Sequence, residues 1–440
     1  MKLVSIHKHI LLLLFLFSGK IVQAQVWTLQ RCLDTAQIHN RALQMARNQM
    51  VIGDEKYSEA KANRLPKLVV NADYKYFLDL PTQLMPLSTF NPSAAEGTFK
   101  EAQFGVPHNI GANLQLTMPL YNPQLSGAIE ATKTAKELAV LQYHKSEEQI
   151  LVDMTNLYYN AQIIQNQLVF LDSNIVNSQR LLKNMQLLKE QLMAKGTDVN
   201  KVQLQVSQLQ TQRAMATSKY EQMLNALKFA MGVSLDDPLS IEADIRYDNP
   251  MDYSLNNPID LKIAQTQQKL VATELSNIQK SRLPSVGLVA SYGATGFGYD
   301  TRPKEFLKFF PLGFAGIQFS YPVFNGTVTQ RKINQKNIEL QNSALQQSMV
   351  AEQNKMQIAN ATMQRTAALQ SMTHTKAQIA QADNIYQQTL LQQKQGVASL
   401  TDVLQADTAL REAQQNHLAA MVDYLKADLE LKKYSGNLSK

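Results

Sequence analysis

An internal duplication limits how this chain folds more than any other feature of its sequence. Arg64-Leu65-Pro66, Ala72 and Tyr74 recur 218 positions on as Arg282-Leu283-Pro284, Ala290 and Tyr292. The segment from Leu116 through Pro119 to Asn122 lies over Phe319, Pro322 and Asn325 at an offset of 203. Lys195-Gly196-Thr197 lies over Gln395-Gly396-Val397 at 200. Three anchors in one order make the chain a tandem repeat. Each half is expected to read helix, strand, loop, strand, very long helix, tight turn, return helix.

The strands show period-two alternation, which places every second side chain on one face. From Leu68, one face carries Leu68, Val70, Ala72 and Tyr74, and the other carries Val69, Asn71, Asp73 and Lys75. Ile110, Ala112, Leu114 and Leu116 alternate with Gly111, Asn113 and Gln115, and Ile317 and Phe319 alternate with Gln318. Strands are expected at about residues 66–78, 110–119, 284–294 and 313–323. Each approaches the length a tilted strand needs to cross a bilayer, apolar outward and polar inward. That reading turns Tyr74 and Leu116 to lipid and Asn71, Asp73, Asn113, Gln115 and Gln318 to a lumen.

Between the strands the apolar pattern changes to heptads. Ile150, Met154, Leu157, Ala161, Ile164, Leu168, Leu171, Ile175, Ser178, Leu182 and Met185 follow a 4-3 spacing, with one polar member. In the second half Met349, Met356 and Met363 repeat at sevens, as do Met372, Ile379 and Tyr386 after a phase shift, so all are expected in a coiled-coil core. Each long helix is expected to run some 65–70 residues, on the order of 100 Å. Four strands cannot close a barrel, and an open sheet edge in lipid would leave its amides unsatisfied. The chain must therefore oligomerise. Three copies give twelve strands, the smallest multiple expected to leave an aqueous lumen.

The N-terminus reads as an export signal over residues 1–24: basic Lys2 and Lys8, an apolar run from Ile10 to Phe17, and Val22-Gln23-Ala24 before the cut. Lys2, Lys8 and Lys20 supply three of the seven excess positive charges, so the remainder carries about +4. That near-neutral balance argues against a nucleic-acid partner. Cys32 is the single cysteine, so no intrachain disulfide forms, and its helical spacing from Leu29 and Ala36 reads as a buried small residue. The domain plan is a signal at 1–24, a first repeat at 25–232, a linker in an equatorial region at 233–257, a second repeat at 258–436 and a tail at 437–440.

The ordered set of Trp27-Thr28-Leu29, the two Arg-Leu-Pro strand starts and the two Pro-(Leu/Val)-(Tyr/Phe)-Asn corners resembles TolC-type outer-membrane efflux and secretion ducts. The segment from Gly396 to Ala406 is similar to the family's second hairpin turn. The resemblance covers essentially residues 25–436. It implies a homotrimer with a twelve-stranded β-barrel in outer-membrane lipid, continued by a long α-helical coiled-coil barrel in the periplasm. It also implies a non-enzymatic channel that serves a periplasmic adaptor and an inner-membrane transporter. Asp402 then matches the first of the family's two aperture carboxylates, while Gln405 stands at the second. The hairpin turns at Gly196, Thr197, Gly396 and Val397 are placed at the adaptor.

Plainer readings compete at several positions. Ser399 three residues before Asp402 makes a capping-box start for the return helix. Gly196 and Gly396 fit turn positions with positive φ. Gly293, Gly296 and Gly298 read as a surface loop. Asp236, Asp237, Glu242, Asp244 and Asp248 read as a solvated linker. The scattered histidines His39, His108, His144, His374 and His417 suit no metal, and no catalytic or cofactor site is expected. A periplasmic adaptor would also carry a helical hairpin, but one rather than two, with Gly-rich β-domains. A structural coiled-coil envelope protein would explain the heptads but not the four strands.

Overall fold

A computed structural model describes residues 26–245, 253–298 and 308–438. The signal segment and Asp248 lie outside the described residues. Two short helices, α1 (Leu29–His39) and α2 (Arg41–Ala62), precede β1 (Lys67–Tyr76), β2 (Thr82–Pro86), β3 (Phe99–Gln103) and β4 (His108–Tyr121). The first half ends in α3 (Pro123–Glu190) and α4 (Gly196–Met231). The second half gives α5 (Ile259–Lys280), β5 (Ser285–Gly298), β6 (Lys308–Ser320), α6 (Val328–Lys394) and α7 (Leu400–Tyr434). The duplicated plan is present, with long helices of 68 and 67 residues. Among the described residues no helix is long and apolar enough to cross a membrane.

The chain divides into two compact units that cut across the duplication, each holding parts of both halves. One comprises residues 50–139 and 264–347 and contains the sheets. Its main sheet has four antiparallel strands in the order β1-β4-β5-β6, so the halves meet at β4 and β5. Strands β2 and β3 form a separate hairpin inside the expected loop at 79–109, which the sequence reading missed. Their five residues each are too short to reveal a period. Strand β5 runs on to Gly298, so Gly293, Gly296 and Gly298 are strand residues rather than a loop. Gly293 is required by close approach: a Cβ there would sit 2.3 Å from the Ala112 carbonyl oxygen on β4. The first strand-to-helix corner is capped by Asn122, whose Oδ1 accepts from the Leu125 amide at 3.0 Å, with Pro123 as the first helical residue.

The other unit comprises the remaining residues to 49, 140–263 and 348–440. Its core begins with Cys32, Ala36, Met154, Tyr158, Ala161, Leu227, Met231 and Ile241, with Trp27 packed against them. Cys32 is fully buried, as expected, and burial pushes its thiol up to about 11. The linker is not merely solvated. Ile241 pairs with Trp27, and Gln162 Nε2 donates to the carbonyls of Glu242 and Asp244 at 2.9 and 3.0 Å. The α3 seam is buried or half-buried throughout, and Met372 and Tyr386 are buried on α6. Met349, Met356 and Met363, however, are 54–62 % exposed. A repeat of seven marks a stripe but not which way it faces, and on α6 the packed stripe is Ala361, Arg365, Ala368 and Met372.

Candidate functional site

On the main sheet, pairing fixes which residues share a face. Asn71 is opposite Asn113, Gln115 opposite Ser291, and Gly287 opposite Gln318. Asn71 Nδ2 donates to Gln115 Oε1 at 3.3 Å, and Asn113 Nδ2 to Ser291 Oγ at 3.0 Å. Asp73, opposite Gly111, completes this polar face beside Lys75, which it pairs with at 3.1 Å. Leu68, Val70, Tyr74, Leu114, Leu116, Tyr292, Ile317 and Phe319 occupy the other face. The polar face is not polar throughout. Register sets Phe310, Leu312 and Phe314 of β6 on it, opposite Thr295, Gly293 and Ser291, with Phe297 and Phe310 rings 6.0 Å apart. The expected strand began at residue 313, so Phe310 and Leu312 lay outside it.

At the second hairpin turn the plain reading of Ser399 and Asp402 holds. Asp402 Oδ2 accepts from the Ser399 amide at 2.8 Å and its hydroxyl at 2.7 Å, while Ser399 Oγ accepts from the Asp402 amide at 3.2 Å. These bonds stabilise the carboxylate and hold the exposed Asp402 carboxyl below its ordinary value. Gln405 is exposed one turn on.

The two turns align differently from the glycine letters. Gly396 takes φ +79°, and the Val397 amide reaches back to the Gln392 carbonyl at 3.0 Å. In the first turn Leu192 occupies that left-handed position, with φ 55°, and the Met193 amide reaches the Leu188 carbonyl at 2.8 Å. Gly196 has no positive φ; it is the first residue of α4, as Leu400 is of α7, and Thr197 is exposed beside it. The left-handed residue ends each long helix, so the turns correspond at an offset of 204. Asp198 then stands where Asp402 does, in the first turn of α4, a match that aligning glycines hid.

Sequence reasoning also missed a buried polar link. Gln205 on α4 donates through Nε2 to Asp407 Oδ2 on α7 and, at 3.3 Å, to Ser178 Oγ on α3. Arg411 Nε lies 3.0 Å from the same carboxylate oxygen. Asp407 is 3 % exposed, and burial pushes its carboxyl up against the opposing pull of Arg411 and Gln205. Ser178 as the single polar member of the α3 seam was the one available signal.

A duplicated helix-strand-strand-helix chain with an amphipathic four-stranded sheet and very long helices defines an outer-membrane channel protein. Residues 32–233 and 252–437 match the family of outer membrane efflux proteins, and the chain belongs to that family. It is similar to the outer membrane protein TolC of Escherichia coli (strain K12), 20 % identical over 438 residues that cover 96 % of this chain and 85 % of that protein. The alkaline protease secretion protein AprF of Pseudomonas aeruginosa is 21 % identical over 339 residues, covering 74 % of this chain and 69 % of AprF. The crystal structure of the Campylobacter jejuni CmeC outer membrane channel matches with a TM-score of 0.75 at 15 % identity, over 93 % of this chain and 85 % of that one. The protein is thus a non-enzymatic outer-membrane channel of the efflux-protein family, extending into the periplasm.

Proposed function

We propose that three copies of this chain close a twelve-stranded barrel in the outer membrane, with β1 of one subunit pairing with β6 of the next. The observation that carries this is the open four-stranded sheet, apolar on one face and mainly polar on the other, whose edge strands β1 and β6 pair on their outer sides with no strand among the described residues. Lipid cannot hydrogen-bond an edge, so the edges must meet other copies. In that barrel Asn71, Asp73, Asn113, Gln115 and Gln318 face the lumen, and Tyr74 and Leu116 face lipid. The structural repeats at 25–232 and 258–436, joined by the linker at 233–257, supply one helical hairpin each, and the six hairpin turns of three chains form the periplasmic tip. A periplasmic adaptor docks at the turns around Gly196, Thr197, Gly396 and Val397, and an inner-membrane transporter supplies the energy. Ser399, Asp402 and Gln405 belong to the aperture. Native mass spectrometry of the detergent-solubilised protein tests the assembly: a trimer is expected, and a stable monomer or a species that needs no detergent would overturn it.

A further inference from the structure

Among the described residues Asp407 is the one fully buried carboxylate, and Gln205, which donates to it and to Ser178, links its helix to two others. The helix that carries it, α7, packs Val403, Ala406 and Leu410 against Leu181 and Met185 of α3, Val202 of α4 and Tyr386 of α6. We propose that Asp407 sets how readily α7 parts from the first helical hairpin, and that opening of the channel is proton-linked through it. This inference rests on the channel reading above.

The groups around the carboxylate decide the sign. Arg411 on its own helix is the charged partner, and the Tyr386 phenol of α6 is the other titratable group close to it. From α4 and α3 come Gln205 and Ser178, neither of which titrates. In the packed arrangement burial outweighs Arg411, so the carboxyl holds its proton more tightly than it would in water. Parting the helices returns the group to water and to an ordinary value of about 4. The packed arrangement therefore binds more protons than the parted one. Acid favours packing, and raising the pH through the interval above that ordinary value favours parting, by up to about tenfold per pH unit. Asp402, exposed and shifted the other way, gives no such rise in that interval.

The test is the open probability of the purified full-length channel in planar bilayers, followed from acid to neutral pH. The native protein is expected to open increasingly, by up to about tenfold per pH unit, and then level off. Asp407→Asn, which keeps the shape but cannot ionise, should stay flat at the acid level, whereas Glu412→Gln, which neutralises an exposed carboxylate on the same helix, should keep the native rise. A native rise in Asp407→Asn, or its loss in Glu412→Gln alone, overturns the proposal. Should Asp407→Asn fail to assemble, Gln205→Leu decides: it removes a donor to the carboxylate and should move the rise to higher pH, and an unmoved rise is equally fatal. Absence of any conductance from the native protein would instead strike the channel reading.

Discussion

Asn113 on β4 donates a hydrogen bond to Ser291 on β5 across 3.0 Å, and this contact joins the two halves of the duplication on the polar face of the sheet. Each half supplies only a hairpin, and hairpins alone are marginal. Pairing of β4 with β5 turns two hairpins into one four-stranded sheet.

That junction depends on Gly293 having no side chain. Gly293→Val is expected to push β5 from β4 at the Ala112 carbonyl and to cost about 1–3 kcal/mol. Heat dissociation of the assembled protein, followed on gels, would register the loss; unchanged dissociation would count against the close approach.

Leu192 carries backbone strain that a glycine would relieve. Its left-handed φ of 55° burdens an L side chain, and its own side chain is 94 % exposed, so nothing is lost in packing. Leu192→Gly should raise stability by about 1 kcal/mol, the relieved strain of 1–2 kcal/mol less the entropy a glycine adds to the unfolded chain. Denaturant midpoints of the two proteins provide the comparison.

Asp428 collects three partners: Arg365 at 2.9 Å, Lys432 at 3.4 Å and the Tyr253 hydroxyl at 2.8 Å. Both members of the Arg365 pair are nearly buried, and Asp428→Ala would take the carboxylate away from a guanidinium held largely out of water. The expected cost is about 3–5 kcal/mol, read from thermal unfolding. A loss below 1 kcal/mol would show that the pair is solvated.

The Asp402 cap should fail in acid. Its carboxyl lies below the ordinary aspartate value, so the stability it lends α7 is present above that value and is lost as pH falls through the lower, folded one. Hydrogen exchange in the first turn of α7 should quicken in that strongly acid window, and Ser399→Ala should quicken it at neutral pH as well. Protection that is indifferent to both changes would argue against the cap.

Membrane orientation can be read with thiols, because the native Cys32 is buried with its thiol pushed up to about 11 and gives little background. Ser93→Cys, in the exposed segment between β2 and β3, should react with an impermeant reagent on intact cells, and Thr197→Cys should not. The reverse pattern would invert the topology.

The sequence by itself determined the duplication, the long helices and the amphipathic strands, because each is written in a local period: seven for the α3 seam, two for β1 and β4. It also determined the Ser399–Asp402 cap, whose partners are three residues apart. Only the tertiary structure decided which stripe of α6 is packed, since Met349 and Met372 carry equally regular repeats and facing is set by neighbours. Only the backbone showed that Leu192, not Gly196, matches Gly396, since a left-handed φ belongs to a position and glycine is merely its commonest occupant. The link from Asp407 to Gln205 spans 202 residues. No period in the sequence connects them; they meet because α7 and α4 pack side by side, and the physics of that carboxylate comes from burial that only packing creates.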